Sequence, residues 1–140
     1  MQIQLEKGRV PIQVRGEVSI LGLPNSGVLT SFVASQDLDA YTVVYIENGK
    51  LWIASADDLA QVEKQFVMVL KDVQSGGLAS VIVEGQVVNP DWDWDVSKSI
   101  YLGMGGELTQ EFDSALFLNR IATPLSPKVI YIKPDKSIVL

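Results

Sequence analysis

The sequence Tyr41-Thr42-Val43-Val44-Tyr45-Ile46-Glu47-Asn48-Gly49-Lys50-Leu51-Trp52-Ile53-Ala54 decides the fold class. Two runs rich in β-branched and aromatic residues flank the dipeptide Asn48-Gly49. Such runs favour extended strands, and Asn-Gly accepts the positive φ angles that a two-residue hairpin turn requires. The stretch therefore predicts an antiparallel β-hairpin.

Short β-like runs continue on both sides of this hairpin, with turn residues between them. They cover residues 12–14, 18–20, 66–70, 79–83, 86–88, 99–102, 107–109, 118–122, 129–132 and 137–140. Only residues 55–64 have a credible helical pattern, with Ser55 as the cap, acids in the first turn and Lys64 near the end. The pattern predicts an all-β protein, a small barrel or sandwich of short antiparallel strands with one short helix.

The length and the turn residues predict one domain. A chain of 140 residues buries a core without disulfides. The loop Leu23-Pro24-Asn25-Ser26-Gly27 separates the first part from the rest. We expect residues 1–30 to form an N-terminal arm or the first strands, and residues 31–140 to form the β-barrel or sandwich domain.

Composition disfavours several classes of function. The net charge of −6 argues against nucleic acid and against anionic membranes, which both attract basic proteins. The chain has no cysteine. It also has no histidine, which is the commonest general base and the commonest transition-metal ligand in proteins. No apolar run is long enough to span a membrane, and the N-terminus lacks the apolar core of a signal peptide. We therefore expect synthesis in a cytoplasm and no cofactor.

Aspartates alternate with tryptophans in Pro90-Asp91-Trp92-Asp93-Trp94-Asp95. In an extended strand this spacing places both indoles on one face and the carboxylates on the other. The aspartates match the start of a calcium-binding EF-hand loop, but Val96 replaces its glycine and Leu102 its final glutamate. Two carboxylates on one strand face also approach the separation of an inverting glycosidase pair, although such a pair must flank a bond in a cleft. We expect neither a metal site nor an enzyme.

Two interpretations of Trp92 and Trp94 remain open. Large aromatic side chains dominate the energetics of cores and interfaces, so one or both indoles are candidate core or subunit-interface anchors. Alternatively, they form an exposed platform for a sugar or a protein partner. Arg120 lies within an apolar run and is a candidate for an ion pair at an interface.

A family resemblance covers residues 32–140. Its most specific part is Pro90-x-Trp92-x-Trp94, followed by Ile100-Tyr101-Leu102 and Gly106-x-Leu108-Thr109. It also includes Ala34-Ser35-Gln36, Leu38, Tyr41-Thr42-Val43-Val44, Leu51-Trp52-Ile53-Ala54-Ser55-Ala56, Ala79-Ser80-Val81-Ile82-Val83-Glu84-Gly85, Arg120-Ile121-Ala122, Ser126 and Ile138-x-Leu140. In these residues the chain resembles small virion proteins of tailed bacteriophages, the head decoration (cement) proteins and the head-fibre or head-spike base proteins.

The resemblance implies a non-enzymatic virion protein, usually a homotrimer, that binds the major capsid protein or carries a spike or fibre. Its interface residues would be Trp92, Trp94, Tyr101 and Arg120. The choice between cement protein, spike or fibre base and tail component stays open. A different hypothesis is a receptor- or glycan-binding module of a phage tail or head fibre. A third is a small hydrolase that uses Asp91 and Asp93.

Overall fold

The computed structural model describes residues 26–111 and 114–140, and these residues form an all-β domain as predicted. The only helical element in the described part is a 3-10 turn at Leu59–Gln61. The strands are β1 (Ser26–Ala34), β2 (Val43–Glu47), β3 (Lys50–Ile53), β4 (Phe66–Val69), β5 (Leu78–Val88), β6 (Ile100–Leu102), β7 (Leu108–Thr109), β8 (Phe117–Leu118), β9 (Arg120–Ser126), β10 (Val129–Ile132) and β11 (Ile138–Val139). No helix in this part of the chain is long and apolar enough to cross a membrane.

Five strands close into a small barrel in the order β1-β3-β2-β4-β5, and β5 pairs with β1 to complete the ring. Every pair in the ring is antiparallel except β1 with β3, where Val33 and Ala34 lie beside Lys50 and Leu51 in parallel. The parallel pair is a consequence of the odd strand number, because strands that alternate in direction cannot close a ring of five. The predicted antiparallel arrangement therefore holds for all pairs but this one.

A second sheet is formed with the C-terminal end of β5. Gly85 to Val88 pair with β10, and the sheet continues through β9 and β6 to β7. The short strands β8 and β11 pair with each other. β5 therefore belongs to both the barrel and the second sheet.

The two layers have separate hydrophobic cores that share β4 as a wall. All four β4 residues are buried. Val67 and Val69 face the barrel core, whereas Phe66 and Met68 face the larger core, which includes Phe117. Neighbouring strand residues point to opposite sides, so a continuous apolar run is typical of a strand that is covered on both faces.

The central hairpin is confirmed, and the turn takes the predicted form. Glu47 lies opposite Lys50, and Asn48 and Gly49 between them have φ angles of 54° and 74°. Positive φ at both central residues is the signature of the tight hairpin turn that matches strand twist. The β-like runs at 99–102 and 107–109 form a second hairpin, in which Tyr101 and Leu102 pair with Thr109 and Leu108.

The helix predicted at residues 55–64 is reduced to one 3-10 turn, and its cap is different. Asp58, not Ser55, caps the turn by accepting a bond from the Ala60 amide. The Ser55 amide instead donates to the side chain of Gln61 at 2.8 Å, and Ser55 Oγ bonds Asp57. These side-chain bonds compete with helical backbone bonds, which explains the shorter element.

The predicted boundary between residues 30 and 31 falls inside β1. Residues 1–25, which contain most of the predicted arm and the strands predicted at 12–14 and 18–20, lie outside the described residues, so these expectations stay predictions.

Candidate functional site

The tryptophan segment lies between β5 and β6 and is not a strand. Asn89 accepts a bond from the Asp91 amide through its side chain, at 3.0 Å, and Asp95 accepts from both the amide and the hydroxyl of Ser97. Such bonds between a side chain and the nearby backbone stabilise turns. The Trp94 amide donates to the Pro127 carbonyl at 2.9 Å, which ties the segment to the β9–β10 turn.

The predicted separation of indoles from carboxylates nevertheless holds. Asp91, Asp93 and Asp95 are all exposed, whereas Trp92 and Trp94 are half-buried and pack against the larger core. The hydroxyl and the amide of Ser97 each donate a bond to Asp95, and these two bonds lower the pKa of Asp95 below its usual value. The nearby positive charge of Lys98 adds to this effect. The aspartates are therefore a solvated face, and the indoles are the structural face.

Three aromatic rings are in contact at this point of the molecule. The ring centroids of Trp92 and Trp94 are 5.9 Å apart with their planes tilted by 58°. Tyr41 meets Trp92 edge to face, with a centroid distance of 5.2 Å and an angle of 64°. These are favourable arrangements for aromatic quadrupoles.

Tyr41 has a backbone φ of 68°, which is unusual for a bulky residue. Its amide donates to the Val69 carbonyl at 2.7 Å, and the preceding Ala40 amide donates to the Asp72 carboxylate at 2.8 Å. These two bonds hold the strained residue, which places its ring beside Trp92. The sequence did not predict the contact between Tyr41 and Trp92, because Tyr41 has the pattern of the first residue of a β-strand.

The three rings line an open groove of about 500 Å³, which we call the aromatic groove. The opposite wall is the turn between β6 and β7. That turn is docked on the barrel, since the Val43 amide donates to the Gly106 carbonyl at 2.8 Å and the Gly105 amide to Ser55 Oγ at 3.1 Å. The groove lining consists of Asp39, Ala40, Tyr41, Thr42, Trp92, Trp94, Gly105, Gly106, Glu107 and Leu108.

The charged side chains that line the aromatic groove are acidic. Asp39 and Glu107 supply carboxylates, and none of the described lining residues is basic. Lys128 is not part of the lining, and its ammonium donates to the Trp92 carbonyl. The groove therefore offers apolar ring surface together with hydrogen-bond acceptors.

The other two predicted interface residues form a second pair. Tyr101 of β6 lies opposite Arg120 of β9 in the sheet. The Arg120 guanidinium bonds the Asp135 carboxylate of the same chain, and both side chains are about half exposed. Arg120 thus has an acidic partner without a second subunit, and its role at an interface stays a prediction.

Within residues 26–111 and 114–140, no group of three or more acidic side chains is placed to hold a metal ion. The chain matches no protein-family model and no curated protein.

Proposed function

We propose that this chain is a structural protein of a tailed-bacteriophage virion, which decorates or caps the capsid as cement or as the base of a head spike or fibre. It is made in the host cytoplasm, associates with its own copies as a homotrimer and binds the major capsid protein. The sequence resemblance motivates this function, and the surface of β1 supports it most directly.

β1 carries an apolar surface that the rest of the domain does not cover. Leu29 and Val33 lie four residues apart on β1, so they share a face, and they are 51% and 37% exposed. Leu78, the cross-strand neighbour of Val33, is 70% exposed. We call these three residues the outer β1 surface. Contiguous exposed apolar groups commonly mark sites of protein association.

One edge of β1 is also open. β5 pairs with β1 from Ser26 to Val33, whereas β3 pairs only with Val33 and Ala34. Among the described residues, no strand pairs with the other edge of residues 26–32. An unpaired strand edge is a template for association with another chain, and assembly removes that liability.

The C-terminal residues form a second apolar surface. Ile138, Val139 and Leu140 are 64%, 59% and 66% exposed, and the one strand of the described residues that pairs with β11 is the two-residue β8. A virion protein needs one surface for its own copies and another for the shell. Two separate apolar surfaces support such a role.

The mass of the purified chain in solution tests self-association. We expect light scattering to give three times the 15.3 kDa chain mass. The double change Leu29→Lys and Leu78→Lys places charges on the outer β1 surface and should yield monomers. The matched control is Leu59→Lys, which adds a lysine at an exposed leucine of the 3-10 turn and should leave the mass unchanged.

Binding to capsids tests the virion role itself. Purified protein should co-sediment with phage capsids that lack it, and particle images should show it at regular positions on the shell. A wild-type monomer that fails to bind such capsids would contradict the proposal.

A second candidate function is a receptor- or glycan-binding module of a tail or head fibre. The aromatic groove favours it, because exposed ring surface beside carboxylates is typical of ligand sites. The groove and the outer β1 surface share no residue, so one protein can serve both functions.

A further inference from the structure

We propose that the aromatic groove binds a neutral oligosaccharide, whose pyranose rings lie on Trp92, Trp94 and Tyr41. The inference rests on the second candidate function, a glycan-binding module, and names its site and its class of ligand.

The arrangement of the rings favours a flat ligand over a compact cation. Aromatic cages for quaternary ammonium groups surround the cation with ring faces. Here Tyr41 meets Trp92 edge to face at a centroid distance of 5.2 Å, and Trp94 is tilted against Trp92 at 5.9 Å, so the rings contact one another and do not surround a cage. The three rings instead line the groove, and the face of an aromatic ring suits the apolar face of a sugar.

The strained backbone at Tyr41 is the second observation. A residue held in a sparsely populated backbone region costs on the order of 1–3 kcal/mol, and such residues concentrate at ligand sites. The hydrogen bonds from the amides of Ala40 and Tyr41 to Asp72 and Val69 maintain this conformation. Its structural result is to bring the Tyr41 ring to the groove and against Trp92.

The charge of the groove selects among saccharides. The carboxylates of Asp39 and Glu107 accept hydrogen bonds from sugar hydroxyls, and bonds to a charged acceptor are stronger than neutral ones. The same carboxylates repel uronates and phosphorylated sugars. The three exposed aspartates Asp91, Asp93 and Asp95 extend this negative field next to the groove.

The size of the groove fits a short oligosaccharide. Its volume of about 500 Å³ lies within the range of small-molecule sites, which is roughly 300–1,000 Å³. It is open to solvent, so a chain of sugars extends beyond it without a steric barrier. The hairpin turn and the tryptophan segment are each fixed by backbone bonds, so the groove is formed before a ligand arrives.

Titration calorimetry of the full chain tests the proposal, with maltohexaose, cellohexaose and chitohexaose as neutral probes. We expect at least one probe to bind with a millimolar or tighter dissociation constant, and hexagalacturonate, an anionic probe, not to bind. Trp92→Ala should weaken binding at least about tenfold, which is about 1.4 kcal/mol. The matched control is Trp52→Ala, since Trp52 lies exposed on β3, outside the groove lining, and should change binding less than twofold.

Two further variants separate binding from folding. Asp39→Asn and Glu107→Gln change exposed groups, should keep the thermal midpoint, and should each weaken binding several-fold. The absence of binding by all three neutral probes would overturn the proposal, as would preferential binding of choline or hexagalacturonate. Saccharide binding that survives both Trp92→Ala and Glu107→Gln would overturn the assigned site and leave a glycan-binding module with a different site.

Discussion

The replacement of Gly85 by alanine should open the barrel at its closing pair, β1 with β5. Gly85 lies directly opposite Gly27, and the two residues have φ angles of 145° and 147°. A Cβ atom on Gly85 would lie 2.1 Å from the Ser26 carbonyl oxygen and 2.7 Å from the Gly27 Cα. Both obstacles are backbone atoms, so a side-chain rotation cannot relieve the overlap.

The expected cost has two parts. An alanine with such a φ angle pays a backbone strain of on the order of 1–3 kcal/mol. Relief of the overlap requires β1 and β5 to separate by about an ångström, which weakens two or more ladder hydrogen bonds of roughly 0.5–1.5 kcal/mol each. We therefore expect Gly85→Ala to lower the free energy of unfolding by about 3–5 kcal/mol.

A matched control isolates the contribution of the contact. Gly76 also has a positive φ angle, 86°, but a Cβ atom there would meet nothing within 4 Å. Gly76→Ala should carry only the backbone strain, offset in part by about 0.4–1 kcal/mol from the stiffer unfolded chain. The difference between the two variants therefore measures the cost of the close approach of the strands.

Thermal unfolding followed by circular dichroism, at one fixed protein concentration, measures both variants. For a domain of this size about 1 kcal/mol corresponds to roughly 3–5 °C, so Gly85→Ala should lower the midpoint by about 10–20 °C and Gly76→Ala by about 5 °C. Midpoints that agree within about 3 °C would refute the reasoning, because they would show that β1 and β5 accept a side chain between them.

Three other changes test the core and two surface contacts. Phe117→Ala removes a fully buried ring from the larger core and should cost about 3–5 kcal/mol in urea unfolding; a cost below about 1 kcal/mol would contradict its assigned burial. The Tyr131 hydroxyl donates to the Glu84 carboxylate at 3.0 Å, which raises the pKa of Tyr131 above 10.0. Its contribution to stability is therefore present below the unfolded pKa and is lost as the pH rises through the folded pKa. Glu84→Gln should lower the midpoint of phenolate absorbance for one tyrosine, and an unchanged titration curve would exclude the contact. The bonds from Ser97 lower the pKa of Asp95 from its usual 3.8. The stability that the ionised Asp95 contributes is therefore present above pH 3.8 and is lost as the pH falls through the folded pKa. Ser97→Ala removes the hydroxyl donor and should raise that pKa in a carboxyl NMR titration, whereas an unchanged value would exclude the hydroxyl bond.

Local chemistry made part of the fold predictable. The hairpin at Asn48-Gly49 follows from two residues that accept positive φ angles, and the flanking runs need no distant partner to be recognised as strands. The closure of the barrel was not predictable in this way. The parallel pair of β1 with β3 and the sharing of β5 depend on contacts between distant residues, which no local pattern encodes.

The candidate site was likewise predictable only where local sequence determines it. Alternation placed the indoles of Trp92 and Trp94 on one side and the aspartates on the other, and the structure retains this separation. The segment forms turns and not a strand, because the side chains of Asn89 and Asp95 accept bonds from backbone amides two residues further along the chain. Tyr41 was missed because its positive φ angle results from bonds to distant residues.

The topology of β5 connects the fold to the proposed assembly. One edge of β5 pairs first with β4 and then with β10, while its other edge pairs with β1 along most of its length. The second sheet grows from the β10 side, so it covers β2 and β4 but leaves the outer face of β1 exposed. The exposed leucines at 29 and 78 therefore follow from the strand order. Since the described domain has no other layer to cover this face, burial of these leucines requires another chain or another part of this one.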